Sequence, residues 1–242
     1  MRLLVTRPQP DADAQAVILE ELGHEAVIAP LLAVEVRDPG PIPIAGTQAL
    51  VVTSRNALRA FEELGQVKAV THLPLVAVGE ATARLAEETG FQNVAEGPGT
   101  AEALVPLICG QCDPSKGVLA YLTGEKTAFD LRAPLESHGF EVAQMVLYAT
   151  HPVDALDPSV VEEIRSGRLD GVILMSPATA ATYTRLVQKS DLAEPAKKLV
   201  HLCLSANVAE ALSGLAGARS SVASAPTQDD LLALITREAA NC

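Results

Sequence analysis

The sequence predicts an α/β fold of two similar domains, each a parallel sheet flanked by helices, joined by a two-stranded linker. Three observations carry this expectation. One pattern of segments is stated twice along the 242 residues. Its apolar runs, rich in Val, Leu and Ile and unbroken by polar residues, suit strands buried on both faces. Those runs alternate with stretches of helical period, the alternation that marks α/β architecture.

The first run, Leu3-Leu4-Val5-Thr6, passes through a Pro-containing loop into a helix with apolar positions Ala14, Val17, Ile18 and Leu22. Gly23 stops that helix after its last turn, and Glu25 to Val27 follows as a short strand. The same order returns as Leu119 to Thr123, a polar loop, Gly139 and Glu141-Val142. Ala49 to Ser54 is matched by Gly171 to Ser176. Leu75 to Val78, entering Ala81 to Leu85, is matched by Leu202 to Leu204, entering Val208 to Leu212. Thr100 to Ile108 and Thr227 to Ile235 close the copies with Thr, Leu, Leu and Ile in step.

Two divisions into domains are open. One is sequential, at the turn-like Asp113-Pro114-Ser115-Lys116-Gly117. The other starts from Leu31 to Val36 and Met145 to Thr150, corresponding extended segments that can pair as two linking strands. The first βα unit of each copy then serves the other copy's domain. That division yields a discontinuous domain of residues 1–34 and 152–242 and a second of residues 37–147, with an active-site cleft between them.

Composition narrows the function. A hydrophobic content of 48% is enough for two cores. A net charge of −12 argues against nucleic acid or an anionic membrane as partner, because affinity for both comes from Lys and Arg neutralising phosphate. No run approaches the roughly 18 apolar residues of a spanning helix, and Leu3-Leu4-Val5 is too short for a signal peptide. A soluble, cytoplasmic protein is expected, and a monomer. Cys109, Cys112, Cys203 and Cys242 form no disulfide framework. Cys109-Gly110-Gln111-Cys112 follows an apolar helix instead of opening one, and no second pair completes four zinc ligands, so these read as reduced loop thiols. The histidines lack ligand spacing, and no metal is expected.

In open α/β sheets ligands sit beyond the carboxyl ends of the strands, where helix N-termini present unpaired N–H groups. Those turns are Thr6 to Pro10, Thr53 to Asn56, Gly79 to Thr82 and Gly97 to Thr100, with counterparts Thr123 to Thr127, Ser176 to Thr179, Ser205 to Val208 and Ala225 to Gln228. Helix capping accounts for many of their hydroxyls: Ser176-Pro177 fits an N-cap with Pro after it, and Thr227 with Asp230 fits a capping box. The sharper reading makes the turns two rims of anion-binding amides. Arg7, Arg55, Lys126 and Arg132 lie near them, and Arg7, at the end of the first strand, is the best carboxylate or phosphate contact. The G-x-G-x-x-G and G-x-x-x-x-G-K-[ST] nucleotide fingerprints are missing, as are a Ser-His-Asp order and a cysteine nucleophile. An enzyme of this kind works by holding and shaping its substrate.

Arg7-Pro8, Val52-Thr53-Ser54-Arg55-Asn56-Ala57, Ala77-Val78-Gly79-Glu80-Ala81-Thr82-Ala83, Val146-Leu147-Tyr148 and Met175-Ser176-Pro177 with Ala225-Pro226-Thr227 resemble uroporphyrinogen-III synthases in order and spacing. Leu204-Ser205-Ala206-Asn207-Val208-Ala209 departs from the family's Ile-Gly-Pro-Thr-Thr-Ala. The resemblance implies a cyclising lyase without a cofactor. Its substrate, the small molecule hydroxymethylbilane, loses water, inverts ring D and closes as uroporphyrinogen III. For such a substrate, the strand-end turns are expected to supply the contacts, from Arg7, Thr53, Ser54, Arg55, Asn56, Gly79, Thr82, Thr100, Ser176, Pro177, Ala178, Ser205 and Thr227. Tyr148 matches the family's tyrosine, protonated at neutral pH and able to donate to the departing hydroxyl, while a tyrosine there equally suits a half-buried strand. A noncatalytic two-domain protein that binds a small anion is the alternative.

Overall fold

The computed structural model describes residues 1–240, and Cys242 lies outside them. The chain divides into two compact units, Met1–Ala33 with the chain from His151 onward, and Val34–Thr150. Strand β1 (Arg2–Val5), helix α1 (Asp11–Glu21) and strand β2 (Glu25–Ile28) open the first unit. Leu3, Leu4 and Val5 are fully buried, alternately against one face of the sheet and the other, which is why the run shows no polar interruption.

Helix α1 turns a different stripe inward from the one its most apolar residues suggest. Ala12, Gln15, Ala16 and Leu19 are buried, whereas Val17 is 54% and Leu22 47% exposed. Alanines at 12 and 16 let the helix backbone approach the sheet closely, with Leu19 filling the space beyond, and this outweighs the larger apolar area of Val17 and Leu22. Asp11 and Asp13 favour the first turn through the helix dipole. Gly23, at φ 78°, takes the left-handed position past the last turn.

The second unit contains β3 (Leu32–Val36), β4 (Thr47–Val52), α2 (Arg55–Glu63), β5 (Leu75–Ala77), α3 (Glu80–Glu88) and β6 (Val94–Glu96). It continues through α4 (Leu104–Gln111), β7 (Val118–Gly124) and α5 (Arg132–Ser137) to β8 (Val142–Pro152). The sheet order is β3-β8-β7-β4-β5-β6, and β8 with β7, β7 with β4, β4 with β5 and β5 with β6 pair in parallel. Leu50, Val52, Ala120 and Leu122 pack with Leu58 and Phe61 on one face; Ala49, Val51 and Tyr121 pack with Leu104, Ile108 and Leu135 on the other. Asp113 to Gly117 lies inside this unit, just before β7.

The chain returns to the first unit through α6 (Pro158–Arg165), β9 (Gly171–Leu174), α7 (Pro177–Lys189), α8 (Ala193–Ala196), β10 (Val200–Cys203), α9 (Ala206–Glu210), β11 (Arg219–Val222) and α10 (Gln228–Ala239). All five strands are parallel, in the order β11-β10-β9-β1-β2. No helix among the described residues is long and apolar enough to cross a membrane.

His201 on β10 is fully buried, its Nδ1 3.1 Å from the Arg219 carbonyl and its ring edge-on to Tyr183 at 5.5 Å. Burial pushes its pKa below the ordinary histidine value, so the native state holds it neutral. The unfolded chain binds this proton more readily than the native one does. Stability therefore stays level above pH of about 6.5 and declines below it. His24 is shifted the same way, by partial burial first and the nearby N-terminal ammonium second. Urea titrations between pH of about 7.5 and 5 should thus show His201→Gln flattening part of the acid slope, not all of it. An unchanged slope would show that His201 protonates freely in the native state.

Candidate active site

Four strand ends and two loops of the second unit line a cavity of about 580 Å³. Val51 and Val52 are buried on opposite faces of the sheet, and the chain then turns at Thr53-Ser54 into α2. Ser54 is extended, at φ −153° and ψ 136°, and its Oγ accepts the Asn56 N–H at 3.2 Å as the N-cap. The buried stripe Ala57, Leu58, Ala60 and Phe61 fixes the direction of α2 and hence the place of Ser54.

Strands β7 and β8 contribute the two tyrosines of the cavity wall. They run in register from Leu119↔Val142 to Thr123↔Val146, and the register then shifts so that Gly124 stands opposite Tyr148. Such an irregularity re-aims a side chain at the end of a strand. A Cβ on Gly124 would lie 2.6 Å from Cζ and 2.9 Å from the hydroxyl oxygen of Tyr148. Only glycine leaves room for the ring. The Tyr148 hydroxyl donates to Ser54 Oγ at 3.0 Å, and the Tyr121 hydroxyl shares a hydrogen bond with Thr53 Oγ1 at 3.1 Å. Adjacent hydroxyl residues on β4's exit turn therefore each hold one tyrosine.

Burial raises the Tyr148 pKa, the neighbouring Tyr121 raises it further, and the Ser54 hydrogen bond opposes them. The phenol is protonated at neutral pH. Gly99 also lines the cavity, with Gly79 packed against it. A Cβ on Gly79 would be 3.1 Å from Gly99 Cα, so the two backbones cross closely, and Gly99 N–H donates to the Val78 carbonyl at 2.7 Å. Thr100 Oγ1 accepts the Ala103 N–H at 3.3 Å. Lys126 is the basic side chain of the lining and Glu102 the acidic one, with Val78 and Phe129 among its apolar surfaces.

Thr53, Ser54, Thr100 and Tyr148 are thus brought together on one cavity. Arg55 and Asn56 follow on the first turn of α2, where Asn56 Oδ1 accepts from Arg59 at 3.3 Å. Thr82 is buried within α3. The remaining candidates belong to the first unit. Arg7 is paired with Asp11 at 2.9 Å, one helical turn on. Ser176 caps α7 by accepting the Thr179 N–H at 3.1 Å, Pro177 is its first residue, and Ala178 is exposed. Thr227 caps α10 through the Asp230 N–H at 3.1 Å, while Ser205 begins α9 without a side-chain cap bond. Capping is the structural work of Ser176 and Thr227. The two closing segments also differ: α10 starts directly after Thr227, but α4 starts at Leu104, beyond the turn containing Thr100.

Tyr121 and Phe129 are not legible as site residues, and Gly124 is legible only as part of the Thr123 to Thr127 turn. The one available signal was Tyr121, a phenol in an otherwise aliphatic strand whose hydroxyl needs a partner once buried. Arg132 is held by Glu136 at 2.6 Å. Cys109 and Cys112 pack partly buried beside the Leu104 and Ile108 cluster. Burial first, and Cys109 second, push the Cys112 thiol up, so it is protonated at neutral pH.

A family model described as uroporphyrinogen-III synthase HemD matches residues 13–233. Among curated proteins, none matches the chain significantly. The fold resembles the crystal structure of uroporphyrinogen-III synthetase from Helicobacter pylori, at 19% identity and a TM-score of 0.65, over 98% of each chain. It also resembles a mutant uroporphyrinogen III synthase from the extremely thermophilic bacterium Thermus thermophilus, at 20% identity and a TM-score of 0.57, over 100% of each chain. The family match spans nearly the whole chain and the two solved structures share its architecture end to end: the chain belongs to the uroporphyrinogen-III synthase family.

Proposed function

We propose that the cavity of the second unit supplies the acid for the reaction of this family, with Tyr148 as the source of the proton. The enzyme is a cyclising lyase of tetrapyrrole biosynthesis: hydroxymethylbilane loses water, ring D is inverted, and uroporphyrinogen III closes. Loss of the hydroxyl is driven by the electron-rich pyrrole, so the protein must protonate the departing oxygen and hold the chain while the ring closes. The observation that carries the reading is the Tyr148 phenol, kept protonated by burial and seated between Gly124 and Ser54 on the cavity wall. Thr53, Ser54 and Thr100 add hydroxyls, and Lys126 adds a cation, on a surface suited to a pyrrole with acidic side chains. Arg7, Arg55, Asn56, Gly79, Thr82, Ser176, Pro177, Ala178, Ser205 and Thr227 are further proposed contacts for the substrate's carboxylates, the helix-start residues acting through their N–H groups. The −12 charge and the free Cys109, Cys112 and Cys203 support work in the cytoplasm on a small molecule.

Purified protein given hydroxymethylbilane should yield isomer III in place of the uninverted isomer I. Tyr148→Phe should keep its fold and lose turnover by about 10²-fold or more, the usual contribution of a positioned acid. A variant as fast as the parent, with the same isomer ratio, would leave Tyr148 a purely structural residue.

A further inference from the structure

The direction of one hydrogen bond determines which hydroxyl faces the substrate. Ser54 Oγ has two lone pairs and one proton. It accepts the Asn56 N–H at 3.2 Å and the Tyr148 O–H at 3.0 Å, which occupies both lone pairs. Its own proton has no protein acceptor among the described residues, although Ser54 lines the cavity. The Tyr148 proton, by contrast, points at Ser54. Gly124 confines the other side of the phenol, because the space a Cβ would occupy there lies within 3.0 Å of three ring and hydroxyl atoms. A phenol so confined donates to Ser54, and of these two hydroxyls it is Ser54 that has a proton to offer the cavity.

We infer that the Ser54 hydroxyl is the group that protonates the departing oxygen, and that Tyr148 supplies Ser54 from behind, a role that rests on the function proposed above. The step balances without any further reagent. The carbon–oxygen bond of the hydroxymethyl group breaks with its electron pair going to oxygen, and the pyrrole nitrogen supplies electron density to the carbon. The oxygen takes the Ser54 proton and leaves as water, while Ser54 takes the Tyr148 proton in the same motion, so no serine alkoxide forms. Tyr148 regains a proton from the pyrrole carbon that loses one when aromaticity returns after ring closure. Ser54 is then the catalytic residue and Tyr148 the proton store that acts through it. The paired Thr53 and Tyr121 hydroxyls, 3.1 Å apart on the neighbouring strand end, keep the exit turn of β4 in place for the transfer.

Four variants test the relay: Ser54→Ala, Ser54→Thr, Tyr148→Phe and the Ser54→Ala/Tyr148→Phe double. Ser54→Ala is expected to lower kcat by about 10²-fold with KM within about threefold, and Ser54→Thr, which restores a hydroxyl, to recover to within about tenfold of the parent. The double variant should be no slower than the slower single one, because both substitutions break one chain of transfers. Should Ser54→Ala fold poorly, Ser54→Gly, which retains an accepted N-cap residue, takes its place. Two results overturn the relay while leaving the proposed function intact. In one, Ser54→Ala stays within about threefold of the parent while Tyr148→Phe is slow; in the other, the two losses multiply in the double variant. Failure of the parent protein to form isomer III, or a Tyr148→Phe variant at full speed, would instead remove the function proposed above and the relay with it.

Discussion

Gly124→Ala is expected to slow turnover about a hundredfold, the penalty typical of a catalytic group misplaced by about 1 Å, while the second unit remains folded. The added Cβ would sit 2.6 Å from Cζ, 2.9 Å from the hydroxyl oxygen and 3.0 Å from Cε1 of Tyr148. Ordinary carbon contacts lie at about 3.5–4.0 Å, so the ring has to retreat by roughly 1 Å. Strand β8 anchors the tyrosine between buried Leu147 and Ala149, which leaves rotation of the ring away from Ser54 as the cheapest relief. That rotation breaks the 3.0 Å bond to Ser54 Oγ. Steady-state kinetics of Gly124→Ala, alone and in a Tyr148→Phe background, check the cause. In the Tyr148→Phe background the extra loss should be within about threefold, since the transfer is already broken. Full activity in Gly124→Ala would mean that the position of the phenol is irrelevant to the chemistry.

What was legible in the sequence, and what was not, follows from the range over which each feature is decided. Leu3-Leu4-Val5 reads as a strand because burial on both faces of a sheet requires an unbroken apolar run, a local property. Thr53-Ser54 reads as a strand exit and helix cap for the same reason. Helix α1 shows where local reading fails. Val17 and Leu22 are more apolar than Ala12 and Ala16, but the face turned inward is chosen by how closely the backbone can approach the sheet. The cavity fails in the same way. Gly124 and Tyr148 meet only because the pairing of β7 with β8 shifts after Thr123, and nothing in either strand alone announces that shift. Tyr121 passes for an ordinary core residue until its hydroxyl is placed beside Thr53, and Lys126 for a solvated charge until the loop bearing it closes one side of the cavity.

The largest loss of stability from a single added methyl group should come from Gly117→Ala. Gly117 sits at φ 129° and ψ −167°, a conformation reserved for glycine, and the change costs about 1–3 kcal/mol from backbone strain alone. An added Cβ would in addition lie 2.1 Å from the Gly46 carbonyl oxygen. That oxygen has little freedom to withdraw, since it accepts the Val118 N–H at 2.8 Å where β7 begins. Gln48 holds the other side of the turn: its amide donates to the Gly117 carbonyl at 2.6 Å and to the Asp113 carbonyl at 3.1 Å, and accepts the Asp113 N–H at 3.2 Å. Relief of the clash therefore requires giving up part of this clamp, at about 1 kcal/mol for each hydrogen bond. A total of about 4 kcal/mol would lower Tm by roughly 8–16 °C in a protein of this size. Gly110→Ala provides the contrast, because Gly110 lies in α4 with open space around its missing Cβ, and alanine there should be neutral or stabilising by up to about 1 kcal/mol. Thermal melts of the two variants separate steric demand at one glycine from the general effect of replacing a glycine. If Gly117→Ala melts within about 2 °C of the parent, the turn before β7 is not held against Gly46 as described.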